Sequence, residues 1–390
     1  MPNNPHVAVI GAGAFGGWSA LYLLRGGARV TLVDAWGPGN SRSSSGGETR
    51  VLRGCYGPAQ PYTKLAARAR ELWKDYQRDR QQTFFFPIGV LWMAGDPDDF
   101  ERGSLPLLKD ADIPFEELSA AEMSRLWPQI CFEQIKWGIF EPQNGYLLTR
   151  ASVQAVVGQF VAEGGEYRDA TAVSPATLPA KDSGASLEET WNGLPLTDGS
   201  ALSADRYVFA CGPWLGKLFP RAVGPHFKST RQDLFFFGPP AGDIRYHEGN
   251  IPVWADHSGP FMYGIPGNQR RGFKLADDTR GPEFDPTSGE RIVDSARLTE
   301  ARRYLAFRFP GMKDAPLVES RVCQYEDTSD RNFIIDRHPV NQNVWIVGGG
   351  SGHGFKHGPA IGEMVARLIL QDETAEEIYR LQRFRPAVAT

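Results

Sequence analysis

His6-Val-Ala-Val-Ile-Gly-Ala-Gly-Ala-Phe-Gly-Gly17 is a short apolar run that passes directly into closely spaced glycines. The apolar run predicts a buried strand, and residues Trp18 to Arg25 predict a helix with small and apolar side chains on one face. Ala28-Arg-Val-Thr-Leu-Val-Asp34 then predicts a second strand. Strand, glycine-rich turn, helix and strand in this order indicate a βαβ unit of the kind that binds a dinucleotide.

The glycines of this turn follow the pattern G-x-G-x-x-G, and each has a physical role. Gly11 permits the tight turn, Gly13 lets the backbone approach a pyrophosphate, and Gly16 lets helix and strand pack closely. Asp34 ends the second strand, where a carboxylate can accept hydrogen bonds from a ribose. The four residues are therefore predicted dinucleotide contacts, although the motif alone does not say which dinucleotide is bound.

The rest of the chain continues as a mixture of helices and strands. Helices are predicted at 61–77, 150–164, 299–307 and 358–370, and strands at 84–93, 206–215, 231–238, 253–264 and 343–350. The stretch 94–140 is helical and rich in loops, and 181–186 is expected to be the least ordered segment. Signals of the dinucleotide-binding part occur near both ends and in the middle, so we expect that part to be assembled from separate pieces.

Composition argues against several classes of function. Lys plus Arg number 42 and Asp plus Glu 46, which gives a formal net charge of −4, whereas nucleic-acid binding needs a basic surface. The sequence has no run of about 18 apolar residues, so no membrane span is predicted. The four cysteines are scattered and the seven histidines form no zinc motif. We expect a reduced, cytoplasmic protein without a metal centre.

Four further segments follow the glycine motif in a characteristic order. They are Gly47-Glu-Thr-Arg-Val-Leu-Arg53, the pair Tyr263 and Lys274, Cys323-Gln-Tyr325, and Gly352-His-Gly-Phe-Lys356. With these segments the chain resembles the monomeric sarcosine oxidase family, which belongs to the D-amino-acid-oxidase-like flavoproteins, over essentially its whole length. The resemblance implies FAD as the cofactor.

The resemblance and the segment pattern together predict a mixed α/β (α+β) fold. A Rossmann-type FAD-binding domain is expected over 1–83, 146–222 and 321–390, interleaved with a substrate domain on a mainly antiparallel sheet over 84–145 and 223–320. The expected FAD contacts are Gly11, Gly13, Gly16, Asp34, Ser44, Ser45, Thr49, Cys323, Gly352, Gly354, Phe355 and Lys356.

Arg53 and Lys356 are the predicted grip on a substrate carboxylate. The planar fork of an arginine suits a carboxylate, and family counterparts of both residues bind one. The counterpart of Arg50 lies near the flavin ring. Arg50 and Arg53 are three positions apart and would share a face if the segment were helical. The alternative for both arginines is a pair of solvated side chains at a helix start.

Three other side chains are expected at the reacting centre. Lys274 matches the family lysine that helps oxygen accept electrons, because a fixed cation stabilises superoxide. Tyr263 and Tyr325 are expected to form aromatic walls around the substrate. Cys323 matches the cysteine that forms a thioether with the flavin, and neighbouring Arg321 could favour its thiolate. The alternative for Cys323 is a small buried apolar residue.

Two departures from the family concern the substrate. Ser45 and Gly46 stand where relatives often carry histidines, and Asp278 replaces a histidine four residues after Lys274. These changes remove imidazoles and add a carboxylate, which favours a substrate larger or more cationic than sarcosine.

The resemblance thus implies an FAD-dependent oxidase of the C–N bond of an amino acid, with a secondary amine (N-alkyl, cyclic or glycated) favoured. Hydride transfer to the flavin would give an imine that hydrolyses to an aldehyde, and molecular oxygen would be reduced to hydrogen peroxide. A monomer is expected. The alternatives are a flavin dehydrogenase with another electron acceptor and a biosynthetic tailoring enzyme acting on a larger or carrier-linked amine. A nicotinamide enzyme is disfavoured because nothing else resembles a nicotinamide site.

Overall fold

The computed structural model describes residues 4–173, 191 and 193–384, so the segment 181–186 lies outside the described residues. The described helices are α1 (Ala14–Arg25), α2 (Gln60–Arg80), α3 (Asp99–Asp110), α4 (Ala120–Leu126), α5 (Thr149–Ala162), α6 (Leu215–Leu218), α7 (Ser295–Arg308) and α8 (Gly358–Leu370). The described strands are β1 (His6–Ile10), β2 (Arg29–Asp34), β3 (Thr49–Leu52), β4 (Phe85–Phe86), β5 (Val90–Ala94), β6 (Glu116–Ser119), β7 (Trp137–Glu141), β8 (Gly145–Leu148), β9 (Glu166–Asp169), β10 (Leu194–Pro195), β11 (Ala201–Leu202), β12 (Arg206–Phe209), β13 (Phe227–Phe237), β14 (Val253–Asp256), β15 (Met262–Ile265), β16 (Phe273–Asp277), β17 (Leu317–Thr328), β18 (Ile334–Arg337) and β19 (Val344–Gly348).

The first large sheet has the strand order β18-β19-β12-β1-β2-β9. Its strands run parallel except for β18, which pairs antiparallel with β19 at the edge. Strand β1 is buried along its whole length, which explains why its sequence is continuously apolar. The parallel sheet confirms the predicted βαβ unit at the start of the chain.

The glycine turn between β1 and α1 is closely packed. Gly11 has φ +103°, and a Cβ there would lie 2.4 Å from the carbonyl oxygen of Ala210. A Cβ on Gly16 would lie 1.7 Å from the carbonyl oxygen of Gly11. Helix α1 begins at Ala14 and not at Trp18 as predicted, because this close packing places Gly16 inside the first helical turn despite its low helix propensity.

Helix α1 packs between α8 and α5, and α2 covers α8 from the other side. The crossing of α1 and α8 is close, since a Cβ on Gly362 would lie 2.7 Å from the backbone of Trp18. The ring of Trp18 packs edge-on against Trp73 of α2, with centroids 5.2 Å apart. This buried apolar layer fixes α1 and α8 relative to each other.

The second large sheet has the order β17-β13-β16-β15-β14-β5-β7-β6 and is antiparallel except for the β5–β14 pair. Helix α7 packs on it, and Arg308 of this helix forms a buried ion pair with Asp256 at 2.9 Å. A small antiparallel sheet, β3-β8-β4, carries the segment with the two candidate arginines. The predicted fold class, a parallel dinucleotide-type sheet combined with a mainly antiparallel one, is confirmed.

Several predicted elements differ in detail. The strand predicted at 84–93 is two strands in different sheets, because Pro87 lacks a backbone donor and Gly89 has φ +87°. The strand predicted at 253–264 is the hairpin β14–β15, and the stretch 94–140 also contributes β6 and β7 to the second sheet. Strand β17 runs across the domain boundary predicted at residue 321. The division into two domains remains a prediction.

The four cysteines are free thiols, and Cys55 is buried. Among the described helices, none combines the length and the apolar character needed to cross a bilayer.

Candidate active site

A deep cleft opens where the parallel strands of the first sheet end. Ile10, Asp34, Ala210 and Gly348 lie at or just beyond the carboxyl ends of four of these strands, and all line the cleft. In open parallel sheets this edge is where ligands bind. The cleft also receives the glycine turn, the loop with Ser44 and Ser45, and residues of β17.

The cleft wall at α1 is suited to phosphate and ribose groups. The first turn of α1 has no side-chain cap, so its backbone N–H groups and positive helix end are open to a ligand. Asp34 accepts the N–H of Ala12 at 2.7 Å and that of Trp36 at 2.9 Å, which fixes its carboxylate. Burial raises the pKa of Asp34, and the two N–H groups oppose this rise.

Glu326 was not identified by the sequence analysis. It lines the cleft, and the hydroxyl of Ser44 donates to its Oε2 at 2.5 Å. Burial raises the pKa of Glu326 to about 7. No local pattern in the sequence marks it, because its contact partner Ser44 lies 282 residues earlier in the chain.

Cys323 lines the same cleft, with Arg50 beside its sulfur. Arg50 donates from Nη2 to the Ser44 carbonyl at 2.7 Å and to Cys323 Sγ at 3.4 Å. Its Nη1 donates to the Thr49 carbonyl at 2.8 Å. The cation at the thiol is therefore Arg50. The expected partner, Arg321, is engaged by Glu48 at 2.8 Å.

Arg50 and Arg53 do not share a face, because the segment is not helical. Residues Thr49–Leu52 form β3, which pairs antiparallel with β8. A strand alternates its side chains, so residues three apart point to opposite sides. Arg50 points to the cleft, whereas the Arg53 guanidinium carbon lies 4.1 Å from the ring centroid of Tyr56 and 5.1 Å from that of Trp92.

Lys356 contacts the same tyrosine, Tyr56, although it lies 300 residues later in the chain. It follows the strand β19 and lies in a 3-10 turn, Phe355–His357, directly before α8. Its Nζ donates to the Tyr56 hydroxyl and to the His353 carbonyl, both at 2.8 Å. The Tyr56 hydroxyl is also 2.7 Å from His357 Nε2. Burial and the charge of Arg53 hold the pKa of Lys356 well below its usual value.

Glu141 holds the backbone that presents Arg53. It is fully buried and accepts the N–H of Gly54 at 2.7 Å, that of Cys55 at 3.3 Å and the indole N–H of Trp92 at 2.8 Å. These bonds fix the turn immediately after Arg53 and one of the two rings under its guanidinium. Sequence analysis did not find Glu141 or Tyr56, because neither belongs to a recognisable local pattern.

Lys274 is buried beside Tyr263. Only 1% of the lysine is exposed, and its Nζ donates to the Thr49 carbonyl at 3.0 Å. The same Nζ lies 5.7 Å from the ring centroid of Tyr263. Burial, assisted by the charge of Arg50, lowers the pKa of Lys274 to about 7. Lys274 and Arg50 thus share one carbonyl acceptor, that of Thr49, at the cleft wall.

Tyr325 connects the cleft to a group of charges. Its hydroxyl donates to Asp278 Oδ1 at 2.8 Å, and its side chain interacts with that of Tyr263. The ring of Tyr325 lies against Gly352, where a Cβ would be 2.8 Å from it. Arg280 lies over the ring with its Cζ 5.0 Å from the centroid.

A family model described as FAD dependent oxidoreductase matches residues 6–368. The chain belongs to the FAD-dependent oxidoreductase family. Monomeric sarcosine oxidase of Bacillus sp. (strain B-0618) is 30% identical over 396 residues, covering 100% of this chain and 98% of that protein. N-methyl-L-tryptophan oxidase of Yersinia pestis (strain Pestoides F) is 28% identical, covering 97% and 98%. The predicted resemblance to the monomeric sarcosine oxidase family is confirmed.

Solved structures share the fold of this FAD-dependent oxidoreductase. L-proline dehydrogenase from P. horikoshii superimposes with a TM-score of 0.82 at 20% identity, covering 98% of both chains. A modified fructosyl peptide oxidase from Aspergillus nidulans gives 0.81 at 23% identity, covering 100% of this chain and 95% of the other.

The residues of this FAD-dependent oxidoreductase fit its cofactor. Glycines at the turn leave the backbone bare, the start of α1 is uncapped, and Asp34 is fixed at a strand end. The structure brings the following expected contacts to the cleft: Gly11, Gly13, Asp34, Ser44, Ser45, Cys323, Gly352, Gly354 and Phe355, together with Arg50 and Tyr325. Gly16 instead packs α1 on β1, and Thr49 offers its carbonyl to Lys274 and Arg50.

The remaining expected residues form a second group behind the cleft. Arg53 and Lys356 meet at Tyr56, and Lys274 meets Tyr263. Within the described ranges, no group of three or more His, Cys, Asp or Glu side chains is arranged to hold a metal ion.

Proposed function

We propose that the enzyme oxidises the C–N bond of an amino acid whose amine is secondary, with oxygen as the final electron acceptor. The names of its relatives support this choice, since they include sarcosine and N-methyl-L-tryptophan oxidases. The structural neighbours include fructosyl peptide oxidases. All of these names concern amines attached to a carboxylate-bearing molecule or a peptide.

The convergence of Arg53 and Lys356 on Tyr56 is the observation that carries the proposal. Their guanidinium and ammonium groups lie at the ring and at the hydroxyl of one tyrosine, although they are far apart in the sequence. Two cations this close repel each other, which an anionic ligand relieves. A carboxylate bound by both would be fixed in position, and such positioning can accelerate a reaction by several orders of magnitude.

FAD supplies the two-electron acceptor when it is bound. Gly11, Gly13, Asp34 and the start of α1 would hold its pyrophosphate and ribose, and Arg50 and Cys323 would lie at the flavin end. We propose a covalent link through Cys323. Lys274 would place a positive charge where oxygen is reduced, which favours hydrogen peroxide as a product.

An anaerobic titration tests the proposal. Purified enzyme is mixed with N-methyl, cyclic and glycated amino acids, and bleaching of the flavin absorbance is followed. We expect at least one of them to reduce the flavin, and the matching amine without the carboxylate to do so poorly. Arg53→Met should raise the Kd of that substrate at least about tenfold, because a charged hydrogen bond is lost.

Arg68→Met provides the control, because Arg68 pairs with Glu363 on α8 with half of its side chain exposed. It should bind the substrate as the parent does. Failure of every amino acid in the panel to reduce the flavin would reject the proposed substrate class, and equal reduction by carboxylate-free amines would reject the grip.

Oligomeric state and location belong to the same proposal. We propose a monomeric cytoplasmic enzyme, supported by the name of its relatives and by four unpaired thiols. Gel filtration at micromolar concentration should give the mass of one chain, 43.1 kDa, and a mass of two chains would contradict it.

A further inference from the structure

Asp278 is a half-buried carboxylate beside the proposed substrate grip. It follows strand β16, and its backbone N–H donates to the Phe261 carbonyl at 2.8 Å. One carboxylate oxygen accepts the Tyr325 hydroxyl at 2.8 Å and the other accepts Arg280 Nη1 at 2.7 Å. A carboxylate has about four acceptor positions, so two bonds leave room for a ligand. The side chain keeps 22% of its surface exposed.

Arg280 has partners besides Asp278, to which it donates at both the carboxylate and the backbone carbonyl. It donates to the Ser351 carbonyl at 2.9 Å and pairs with Asp327 at 3.1 Å. Its Cζ also lies over the ring of Tyr325. Two carboxylates, Asp278 and Asp327, thus share the single cation Arg280, which leaves one negative charge in excess.

Tyr325 links Asp278 to the substrate grip, because its hydroxyl donates to Asp278 and its ring lies against Gly352, next to the His353 carbonyl that accepts Lys356. Arg53 favours the ionised form of Asp278, and Asp278 in turn favours the charged form of Lys356. Burial raises the pKa of Asp278 and lowers that of Lys356. The titratable and charged groups that face Asp278 from the surrounding elements are Arg280, Tyr325, Tyr263, Arg53 and Lys356. One carboxylate next to two cations matches the charge pattern of a zwitterionic amino acid.

We propose that Asp278 binds the amine of the substrate and takes its proton, an inference that rests on the proposed function. Arg53 and Lys356 would hold the carboxylate while Asp278 accepts a hydrogen bond from the substrate ammonium. One N–H bond of the ammonium breaks and an O–H bond forms on Asp278, so the nitrogen keeps the electron pair that oxidation of the C–N bond requires. Tyr325, bonded to Asp278, orients the carboxylate for this transfer.

The rival interpretation is that Asp278 only supports Tyr325 and Arg280. A pair of ligands that cannot be oxidised at the amine-bearing carbon separates the two. In 2-methylalanine that carbon carries no hydrogen, and 2,2-dimethylpropanoate has the same shape with a methyl group in place of the ammonium. Binding of each to the holoenzyme is followed by the change in flavin absorbance near neutral pH, so no turnover is needed.

Asp278→Asn keeps the shape and can still accept the Tyr325 hydroxyl. The parent should bind 2-methylalanine at least about tenfold more tightly than 2,2-dimethylpropanoate, and Asp278→Asn should lose most of that preference. The matched control is Asp327→Asn, which removes the other carboxylate on Arg280 and should keep the preference. A second readout is anaerobic reduction by an active substrate, which in Asp278→Asn should recover at high pH, where the free amine is present.

The outcomes separate the two proposals. If Asp278→Asn keeps the parental preference, or if Asp327→Asn loses it equally, the assignment of Asp278 is overturned while the proposed function stands. If neither ligand binds the parent, the carboxylate grip itself fails and the assignment falls with it. If substrate reduces the flavin of Asp278→Asn more slowly than that of the parent by the same factor at every pH, the role of Asp278 is purely structural.

Discussion

Arg50 and Cys323 are brought together from the two ends of the chain, with Nη2 of the arginine 3.4 Å from the sulfur. The guanidinium is held in place by the carbonyls of Ser44 and Thr49, so it does not depend on the cysteine for its orientation. The fixed guanidinium therefore places a positive charge beside the atom that is proposed to bond to the flavin. The thiol faces the dinucleotide cleft. This geometry supports the proposed link between Cys323 and the flavin.

Replacing Cys323 tests that link. Acid-precipitated parent protein should keep its yellow colour in the pellet, whereas Cys323→Ala should release the flavin into the supernatant, where its absorbance is measured. Cys211→Ala is the matched control, because Cys211 lines the same cleft but donates to the Ile10 carbonyl at 3.3 Å. It should retain the flavin. Release of all flavin from the parent would show that no covalent link forms.

Replacing Lys274 should slow the reaction with oxygen. Without the ammonium group of Lys274, the buried charge that stabilises the superoxide anion is lost. Removal of one such group costs about 100-fold or more in rate. We expect Lys274→Met to be reduced by substrate almost normally and to reoxidise about 100 times more slowly in stopped flow. Lys228→Met, on an exposed position of β13, should behave as the parent. Slow reoxidation of the parent itself would favour an acceptor other than oxygen.

Burial of Lys274 is expected to lower the unfolding free energy of the protein. Burial lowers the pKa of the lysine from 10.5 to about 7, so between these values the folded chain binds fewer protons than the unfolded chain. The unfolding free energy of the parent should therefore rise as the pH increases through this range. Lys274→Met should be more stable at pH 7 by on the order of 2–4 kcal/mol, measured by urea denaturation, with the difference shrinking towards pH 10.5. A less stable variant at pH 7 would contradict the lowered pKa.

The dinucleotide-binding half was predictable because its physics is local. Gly11 and Gly16 are needed for contacts within one turn, and the apolar run before them encodes a buried strand directly. Cys323 and Lys274 were predicted from the motifs of the family. What could not be predicted was how Arg50 and Arg53 are oriented, because their segment pairs with β8, almost a hundred residues later in the chain.

The substrate side of the site was harder for a related reason. Tyr56 and Glu141 matter through their contacts with Arg53, Lys356 and Trp92, and none of these contacts lies within one local pattern. Asp278 was visible only as a departure from the family, and its two partners come from β17 and from the loop after β16. Side chains that act through long-range contacts leave no spacing signal in a single sequence.

Glu141 offers the sharpest test of how Arg53 is positioned. It accepts bonds from Gly54, Cys55 and Trp92 in a fully buried setting, so Glu141→Ala leaves these donors unpaired. We expect the unfolding free energy to fall by about 3 kcal/mol or more, measured by denaturant titration, since each of the three unsatisfied buried donors costs about 1–3 kcal/mol. Glu116→Ala, on an exposed position of β6, should change it by less than about 0.5 kcal/mol.

Glu141→Gln separates position from stability. The amide keeps one acceptor oxygen but turns an NH2 group towards a donor, so the turn after Arg53 should shift while the fold survives. Arg53 is proposed to bind the substrate carboxylate. For a substrate with a carboxylate, the factor by which KM rises should therefore be several times larger than the factor by which kcat falls. Carboxylate-free amines, which do not use Arg53, should show no such change. If kcat falls equally for substrates with and without a carboxylate and KM is unchanged, Glu141 does not act by positioning Arg53.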